Sequence, residues 1–249
     1  LFLGKSAIFS LILAIFAPKI SYRHGFGGRT DRNPNPREDK KLRGVNPLIN
    51  KTVMQDKATL NPTPDQTFEI VGQGAYDFVR VLTHSKQLQR QGRVEEACNE
   101  RFHAFQRISE LLPEDEEVIL EWEDPNTRAA LEVIHASAID HFLINDFEMS
   151  TAMLELLLEL DPEDHLEAII LLAFNYLAME EYELFDEVSN DISDKYACKE
   201  VLTMWAAFRR SGRIPEGDAI RFRTRFAPYF AEFTADEHPA DGQYLEDIE

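Results

Sequence analysis

The stretch FEMSTAMLELLLELDPEDHLEAIILLAFNYLAM, at residues 147–179, decides the fold of this chain of 249 residues. Its apolar residues recur at the three- and four-residue spacing of an α-helix on both sides of Asp161-Pro162-Glu163. Proline ends the first helical pattern, and an acidic residue directly after it favours the start of the next helix through the helix dipole. The stretch therefore predicts two helices, at 147–160 and 164–179.

The same apolar spacing extends on both sides of this stretch, and Gly, Pro, Asn and Asp interrupt it at short intervals. The predicted helices are 73–91, 94–112, 127–144, 147–160, 164–179, 182–193, 196–211 and 215–227. Eight helices with short connections make four antiparallel hairpins. The predicted fold class is therefore all-α.

The hairpins recur at a regular interval along the chain. Val94, Phe147, Tyr182 and Ile214 begin the second helix of each hairpin, at spacings of 53, 35 and 32 residues. Two spacings lie close to 34 residues, and an acidic insert at 114–125 lengthens the first. A period of this size is typical of helical repeats, which stack because one hairpin cannot bury its apolar face alone.

The side chains within the repeats resemble those of the tetratricopeptide repeat family. The best first helix has Ile169, Leu172, Ala173 and Tyr176 at the family's large, leucine, small and aromatic positions, and the best second helix has Phe147, Ser150, Leu154, Leu157, Leu160 and Pro162. Arg101, Trp205 and Gly217 depart from the pattern. The resemblance covers about residues 70–231. It implies a right-handed superhelix of about four hairpins whose concave groove binds a peptide or helix of a partner protein, without catalysis.

The resemblance also implies which residues face that groove. The predicted groove residues are Lys86, Arg90, His135, Ile139, Phe142, Leu143, Phe174, Arg209 and Arg210, together with Val79, Leu82, Gln89, Ile170, Leu177, Leu202 and Ala206. Such a groove is apolar in the middle and basic at both ends. It lacks the Lys/Asn set of the family's carboxylate clamp. The alternative is that Phe142 and Phe174 belong to the core, because aromatic residues at helical spacing are usually packing residues.

No motif in the sequence indicates a catalytic or metal site. The glycines at 72–74 resemble the glycine-rich loop of protein kinases, but no VAIK, HRD or DFG motif follows. Cys98 and Cys198 form no CxxC, and the histidines show no HExxH spacing. We therefore predict no catalytic residue, no metal and no cofactor. A divergent helical enzyme and a nucleic-acid-binding helical repeat remain as alternatives.

Charge distinguishes between classes of partner. The chain has 26 basic and 45 acidic residues, for a net charge of −19. Residues 114–194 contain 24 acidic residues and one basic residue, Arg128, whereas 195–225 contain eight basic and three acidic residues. A field of this sign repels nucleic acid and attracts a basic protein, although the acidic block also serves as an ordinary solubilising face. Residues 232–249, with seven acidic residues and no Lys or Arg, predict a flexible tail.

The composition changes at Met54. Residues 1–53 contain ten Lys/Arg and three Asp/Glu, and they begin with an apolar run from Ala7 to Ala17. Three interpretations stay open: a leader that is not part of the native protein, a signal peptide, or a genuine basic arm. The run is shorter than the roughly 20 residues of a membrane span, so we expect no membrane partner. Residues 54–69 are predicted to be a polar lead-in. The expected location is cytoplasmic, or secreted or periplasmic if residues 1–18 form a signal peptide.

Overall fold

The computed structural model describes residues 57–113 and 115–234. The predicted basic leader at 1–53 lies outside this part of the chain, and so does the predicted acidic tail from residue 235 onward. Within the described residues the chain is mostly helical, which confirms the predicted all-α class in its coarse form. None of the helices in this part combines the length and the apolar character that a membrane crossing needs.

The described part of the chain contains two short strands, a short 3-10 helix at Gly74–Tyr76 and nine α-helices. The strands are β1 (Lys57–Pro62) and β2 (Phe68–Gln73). The helices are α1 (Phe78–Arg90), α2 (Val94–Leu111), α3 (Pro125–Leu143), α4 (Phe147–Leu160), α5 (Ala168–Ala178), α6 (Tyr182–Ser189), α7 (Ala197–Ser211), α8 (Glu216–Arg225) and α9 (Ala227–Phe233). The first eight helices correspond to those predicted from the sequence, and α9 is additional.

Side-chain caps explain where several helices begin. Asp124 accepts a hydrogen bond from the Thr127 backbone N–H, and Asp146 accepts one from the Met149 backbone N–H. A capping carboxylate satisfies one of the N–H groups that the first turn of a helix leaves unpaired. Gly212 ends α7 with a φ of 71°, a left-handed conformation that glycine adopts without strain.

Neighbouring hairpins contact one another through their first helices. Helix α1 contacts α2 and α3, α3 contacts α4 and α5, and α5 contacts α6 and α7. Ser85, Ala138 and Ala173 have no exposed surface. These small side chains therefore lie inside the core. The described residues thus form a consecutive series of stacked hairpins, with one continuous apolar core.

The region before α1 differs from the prediction. Residues 57–73 form an antiparallel β-hairpin, in which Lys57 pairs with Gln73 and Pro62 pairs with Phe68, rather than a polar lead-in. Ile70 is 1% exposed, and its backbone N–H donates to Thr127 Oγ1 at 2.8 Å, which docks the hairpin on the start of α3. A Cβ atom at Gly72 would lie 2.3 Å from the Tyr76 carbonyl oxygen, so glycine is required at this close approach.

The acidic insert contacts both this β-hairpin and the second helical hairpin. We call its residues 115–124 the strap. The Phe68 N–H donates to the Ile119 carbonyl at 2.8 Å, and the Glu121 N–H donates to the Phe68 carbonyl at 2.9 Å. The Leu120 N–H donates to the Leu160 carbonyl at the end of α4, at 2.8 Å. Because Leu120 is only 3% exposed, the strap is fixed to the core by an apolar side chain as well as by its backbone.

Candidate functional site

The candidate site is the surface formed by α1, α3, α5 and α7, which we call the first-helix face. Successive first helices contact one another along this face. The Phe78 N–H donates to Asn126 Oδ1 at 2.8 Å at the start of α1 and α3, and Lys86 Nζ lies 3.7 Å from a Glu132 carboxylate oxygen further along. The two helices therefore run in the same direction, as the hairpin arrangement requires.

Only part of the predicted groove is accessible. Val79, Gln89, Arg90, Leu143, Arg209 and Arg210 are exposed, and Lys86 and Ile139 are half-buried. In contrast, Leu82, His135, Phe142, Ile170, Phe174, Leu177, Leu202 and Ala206 are buried. The predicted groove is therefore filled along its apolar middle and open mainly over α1 and α3. Phe142 and Phe174 belong to the core, as the alternative interpretation of the sequence predicted.

The closed middle follows from the position of α5. Every residue from Ile170 to Leu177 is buried, including Phe174 with no exposed surface. Helices α3, α4, α6 and α7 all contact α5, so no side of it is left for a ligand. The Trp205 ring of α7 lies 6.0 Å from the Phe174 ring. A helix that is apolar on all sides belongs to the interior of a protein, which is what α5 shows.

His135 is a buried histidine rather than a residue that faces a binding groove. It is 6% exposed, and its Nε2 atom has no hydrogen-bond partner within the described residues. Burial lowers the pKa of the imidazole from 6.5 to about 4. The side chain is therefore neutral at physiological pH, because an apolar environment disfavours the charged form.

The charged end of the face on α7 is engaged in contacts with the third hairpin. Arg209 pairs with Glu180, and Arg210 Nη2 donates to Asp186 Oδ1 at 2.8 Å. The Arg210 guanidinium also lies 5.0 Å from the centre of the Tyr182 ring. These arginines hold α7 against the turn before α6, so they are less available to a ligand than the sequence predicted. Arg90, on α1, has no ion pair among the described residues.

In the loop between α4 and α5, acidic side chains accept hydrogen bonds from nearby backbone N–H groups. Asp161 accepts hydrogen bonds from the His165 N–H at 2.9 Å and from His165 Nδ1 at 2.7 Å. Asp164 accepts from the Ala168 N–H at 2.6 Å, at the start of α5. Burial raises the pKa of the Asp164 carboxyl from 3.8 to about 6, despite the backbone donors that oppose the shift. These carboxylates hold the loop, which explains part of the acidic block without a ligand.

The remaining chemically reactive groups do not converge. Burial raises the pKa of the Cys98 thiol to about 11 and that of the Cys198 thiol to about 12, so both stay protonated. Within 57–113 and 115–234, no three His, Cys, Asp or Glu side chains are grouped so that they could hold a metal ion. An open depression of about 360 Å³ lies between α1 and α2, and it contains the His84–Glu100 and Arg93–Glu96 pairs.

No family model, no curated protein and no solved structure matches this chain. The function must therefore be inferred from the arrangement of the hairpins and the chemistry of their surfaces.

The sequence did not predict one group of surface residues. Ile144, Met149 and Leu184 are large apolar side chains that stay exposed beside the hairpin turns. The only signal in the sequence is that each lies within three residues of a turn containing Asn or Asp, or Glu180-Glu181. Their exposure depends on how the hairpins stack, which the helical spacing alone does not give.

His135 and Asp164 are expected to change the stability in opposite directions as the pH falls. The unfolded chain protonates His135 near its ordinary pKa of 6.5, whereas the folded chain does so only near 4. Between these values acid destabilises the fold, by about 3 kcal/mol at most. The folded chain protonates Asp164 near pH 6 and the unfolded chain near 3.8, so acid stabilises the fold through this group.

The variants His135→Leu and Asp164→Asn separate the two effects. Urea unfolding at about pH 7 and about pH 4.5 gives the difference in unfolding free energy between each variant and the parent. His135→Leu should gain stability relative to the parent at the lower pH. Asp164→Asn should lose stability relative to the parent over the same interval. Differences that do not vary with pH would contradict the assignment.

Proposed function

We propose that this protein is a non-catalytic interaction module that binds a peptide or helix of a partner protein on its first-helix face. The observation that carries this proposal is that the face stays open over α1 and α3, where Val79, Arg90 and Leu143 are exposed. Lys86 and Ile139 are half-buried beside them. A surface that combines apolar anchors with nearby cations suits a peptide with apolar side chains and an acidic group.

The contacts within this face indicate how such a peptide would bind. Ile139 and Leu143 lie one turn apart on α3, and they offer apolar contacts at helical spacing. Lys86 is paired with Glu132 at 3.7 Å, a long and partly solvated contact that an incoming carboxylate could replace. Arg90 lies one turn further along α1. The acidic group of the peptide would therefore lie over α1, and its apolar side chains over α3.

We also infer that the hairpins form a tetratricopeptide-like superhelix of about four repeats. The order of contacts supports this inference, since each second helix lies between its own first helix and the first helix of the next hairpin in the first two repeats. The burial of Ser85, Ala138 and Ala173 supports it further, because small residues at these positions allow the close approach of the helices. Stacked hairpins of this kind are binding surfaces rather than enzymes in the family that the sequence resembles.

The rival classes have less support. The Asp161–His165 pair does not offer the free imidazole nitrogen that an acid–base enzyme would need, because His165 contacts Asp161 through Nδ1 and lies 3.4 Å from Glu163 through Nε2. Its ring also stacks on Trp122 at 4.4 Å. A nucleic-acid-binding repeat would need basic residues in successive hairpins, whereas residues 114–194 have one base against 24 acids.

Substitutions on the first-helix face test the proposal. The triple variant Lys86→Ala, Arg90→Ala, Leu143→Ser should retain about tenfold less partner from an extract of the source cells than the parent, which is the effect of losing roughly 1.4 kcal/mol of binding free energy. The matched control removes two exposed cations and one exposed apolar side chain from α8, as Arg223→Ala, Arg225→Ala and Ile220→Ser. Unchanged recovery with the first variant, or equal loss with the control, would reject this face as the binding site.

A further inference from the structure

The four hairpin turns lie along one edge of the stack. The first and second hairpins are joined by Arg101 and Asp140, whose Nε and Oδ2 atoms are 2.7 Å apart. Ser150 and Asn175, joined at 2.8 Å, are each four residues from their turns in the second and third hairpins. Arg209 and Glu180 join the fourth hairpin to the third. We call this the turn edge, and it comprises residues 91–96, 143–149, 179–184 and 208–216.

The turn edge concentrates exposed apolar side chains. Among the described residues, seven of the eleven exposed large apolar side chains lie on it: Val94, Leu143, Ile144, Met149, Leu184, Phe208 and Ile214. Single exposed apolar residues are ordinary on protein surfaces, but a concentration of them along one edge indicates an interaction surface. Ile144 is 69% exposed and Leu143 is 55% exposed, so these side chains reach well into solvent.

The second and third hairpins each present a glutamate followed by a large apolar residue at equivalent positions. Glu148-Met149 are the second and third residues of α4, and Glu183-Leu184 are the second and third residues of α6. Glu148, Glu181 and Glu183 are exposed and form no ion pair within the described part of the chain. This part of the turn edge therefore alternates apolar side chains with unpaired carboxylates.

The alternation of apolar side chains and carboxylates on the turn edge indicates what kind of partner binds there. Two copies related by a twofold axis would bring the acidic turns of the second and third hairpins against each other, so like charges oppose a symmetric dimer. An anionic lipid surface is repelled for the same reason. A helix with apolar residues on one face and Lys or Arg along its borders would satisfy both the apolar side chains and the carboxylates.

We propose that the turn edge of the second and third hairpins binds a basic amphipathic helix of a partner protein. Ile144, Met149 and Leu184 contact its apolar face, and Glu148 and Glu183 pair with its basic residues. This surface borders the first-helix face at Leu143, but the turns and the starts of the second helices form it, so the chain would bind partners at two places. The proposal does not depend on the function proposed above, because the residues that test it lie outside the first-helix face.

Three synthetic peptides of equal length test the chemistry of the partner. The first is an amphipathic Leu/Lys helix, the second replaces each Lys with Glu, and the third replaces each Leu with Ser and Gly. We expect the Leu/Lys peptide to bind the full chain measurably in isothermal titration, and the other two peptides to bind at least about tenfold more weakly. Equal binding of the Ser/Gly peptide would overturn the apolar contact, and equal binding of the Leu/Glu peptide would overturn the charge preference.

Matched variants test the location. Glu148→Gln with Glu183→Gln should weaken binding of the Leu/Lys peptide by about tenfold, whereas Glu159→Gln with Glu187→Gln should leave it unchanged. Both pairs remove one exposed carboxylate from α4 and one from α6, so the net charge is the same. If the two variants weaken binding equally, the peptide responds only to net charge and the proposal is wrong.

The apolar contacts have their own control. Ile144→Ser with Leu184→Ser should also weaken binding by about tenfold, and Val71→Ser with Ile220→Ser should not, although all four side chains are exposed. Circular dichroism checks that each variant remains folded. If sedimentation shows that the parent is a dimer, and Ile144→Ser with Leu184→Ser makes it a monomer, then a second copy occupies this edge and the proposal is overturned.

Discussion

Replacing Asp140 with alanine is expected to lower the free energy of unfolding by about 3–5 kcal/mol, because it leaves a buried guanidinium without its partner. Arg101 is 3% exposed, and its Nε and Nη2 atoms each donate to an Asp140 carboxylate oxygen at 2.7 Å. A bidentate pair of this kind satisfies both charges in a region that water hardly reaches. The alanine side chain offers no acceptor in return. Among substitutions of single charged residues, we therefore expect Asp140→Ala to cause the largest loss of unfolding free energy.

Urea or thermal unfolding measures the loss, and two controls define its cause. Arg101→Met with Asp140→Leu removes both charges while filling the volume, so it should recover most of the stability that Asp140→Ala loses. Glu96→Ala breaks the fully exposed pair with Arg93 and should change the stability little. If Asp140→Ala costs no more than Glu96→Ala, then the Arg101–Asp140 pair does not stabilise the packing of α2 against α3.

Replacing Phe174 with alanine is expected to cost a similar amount, about 3–5 kcal/mol, through the cavity that it leaves in the core. Phe174 has no exposed surface, and the helices around α5 restrict how far the structure can relax into the gap. Phe142→Ala, at 4% exposure, should cost nearly as much. The groove interpretation of the sequence places both rings on the binding surface, where each change would weaken partner binding and cost well under this amount of stability. The burial of the two rings reverses that expectation.

Phe208→Ala provides the matched control, because this phenylalanine lies on α7 with 52% of its surface exposed. Chemical unfolding of the three variants should show large losses for Phe142→Ala and Phe174→Ala and a small change for Phe208→Ala. A loss below about 1 kcal/mol for Phe174→Ala would mean that this position is not enclosed, and it would restore the open groove of the sequence interpretation.

The sequence predicted the helices well and the groove poorly, for different physical reasons. Helical spacing and the breaks at Gly92, Asn145-Asp146 and Gly212 depend on local interactions, which the sequence contains directly. Exposure depends on neighbours that are distant along the chain. The residues at 168–178, AIILLAFNYLA, are apolar on every side of a helix, and this signal of burial outweighs the position that the repeat pattern gave Phe174.

The β-hairpin shows a second limit of local patterns. The sequence predicted only a polar lead-in at 54–69, and the six residues of β2 are too few to identify a strand by alternation alone. What orders them is the hydrogen bond from Ile70 to Thr127 and the pairing of Phe68 with the strap. Both partners lie about fifty residues further along the chain. No window of sequence around residues 57–73 contains that information.

These long-range hydrogen bonds also determine when the β-hairpin can dock during synthesis, which proceeds from the amino terminus. The β-hairpin leaves the ribosome before the helices, but its partner Thr127 and the strap emerge only after α1 and α2, and the Leu160 carbonyl that binds the strap emerges later still. The earliest segment of the described chain thus stays unanchored until about fifty later residues have emerged. A nascent chain that stops before the strap would hold a finished helical hairpin beside an unanchored strand, and chaperones that shield exposed strand edges would have their longest opportunity there.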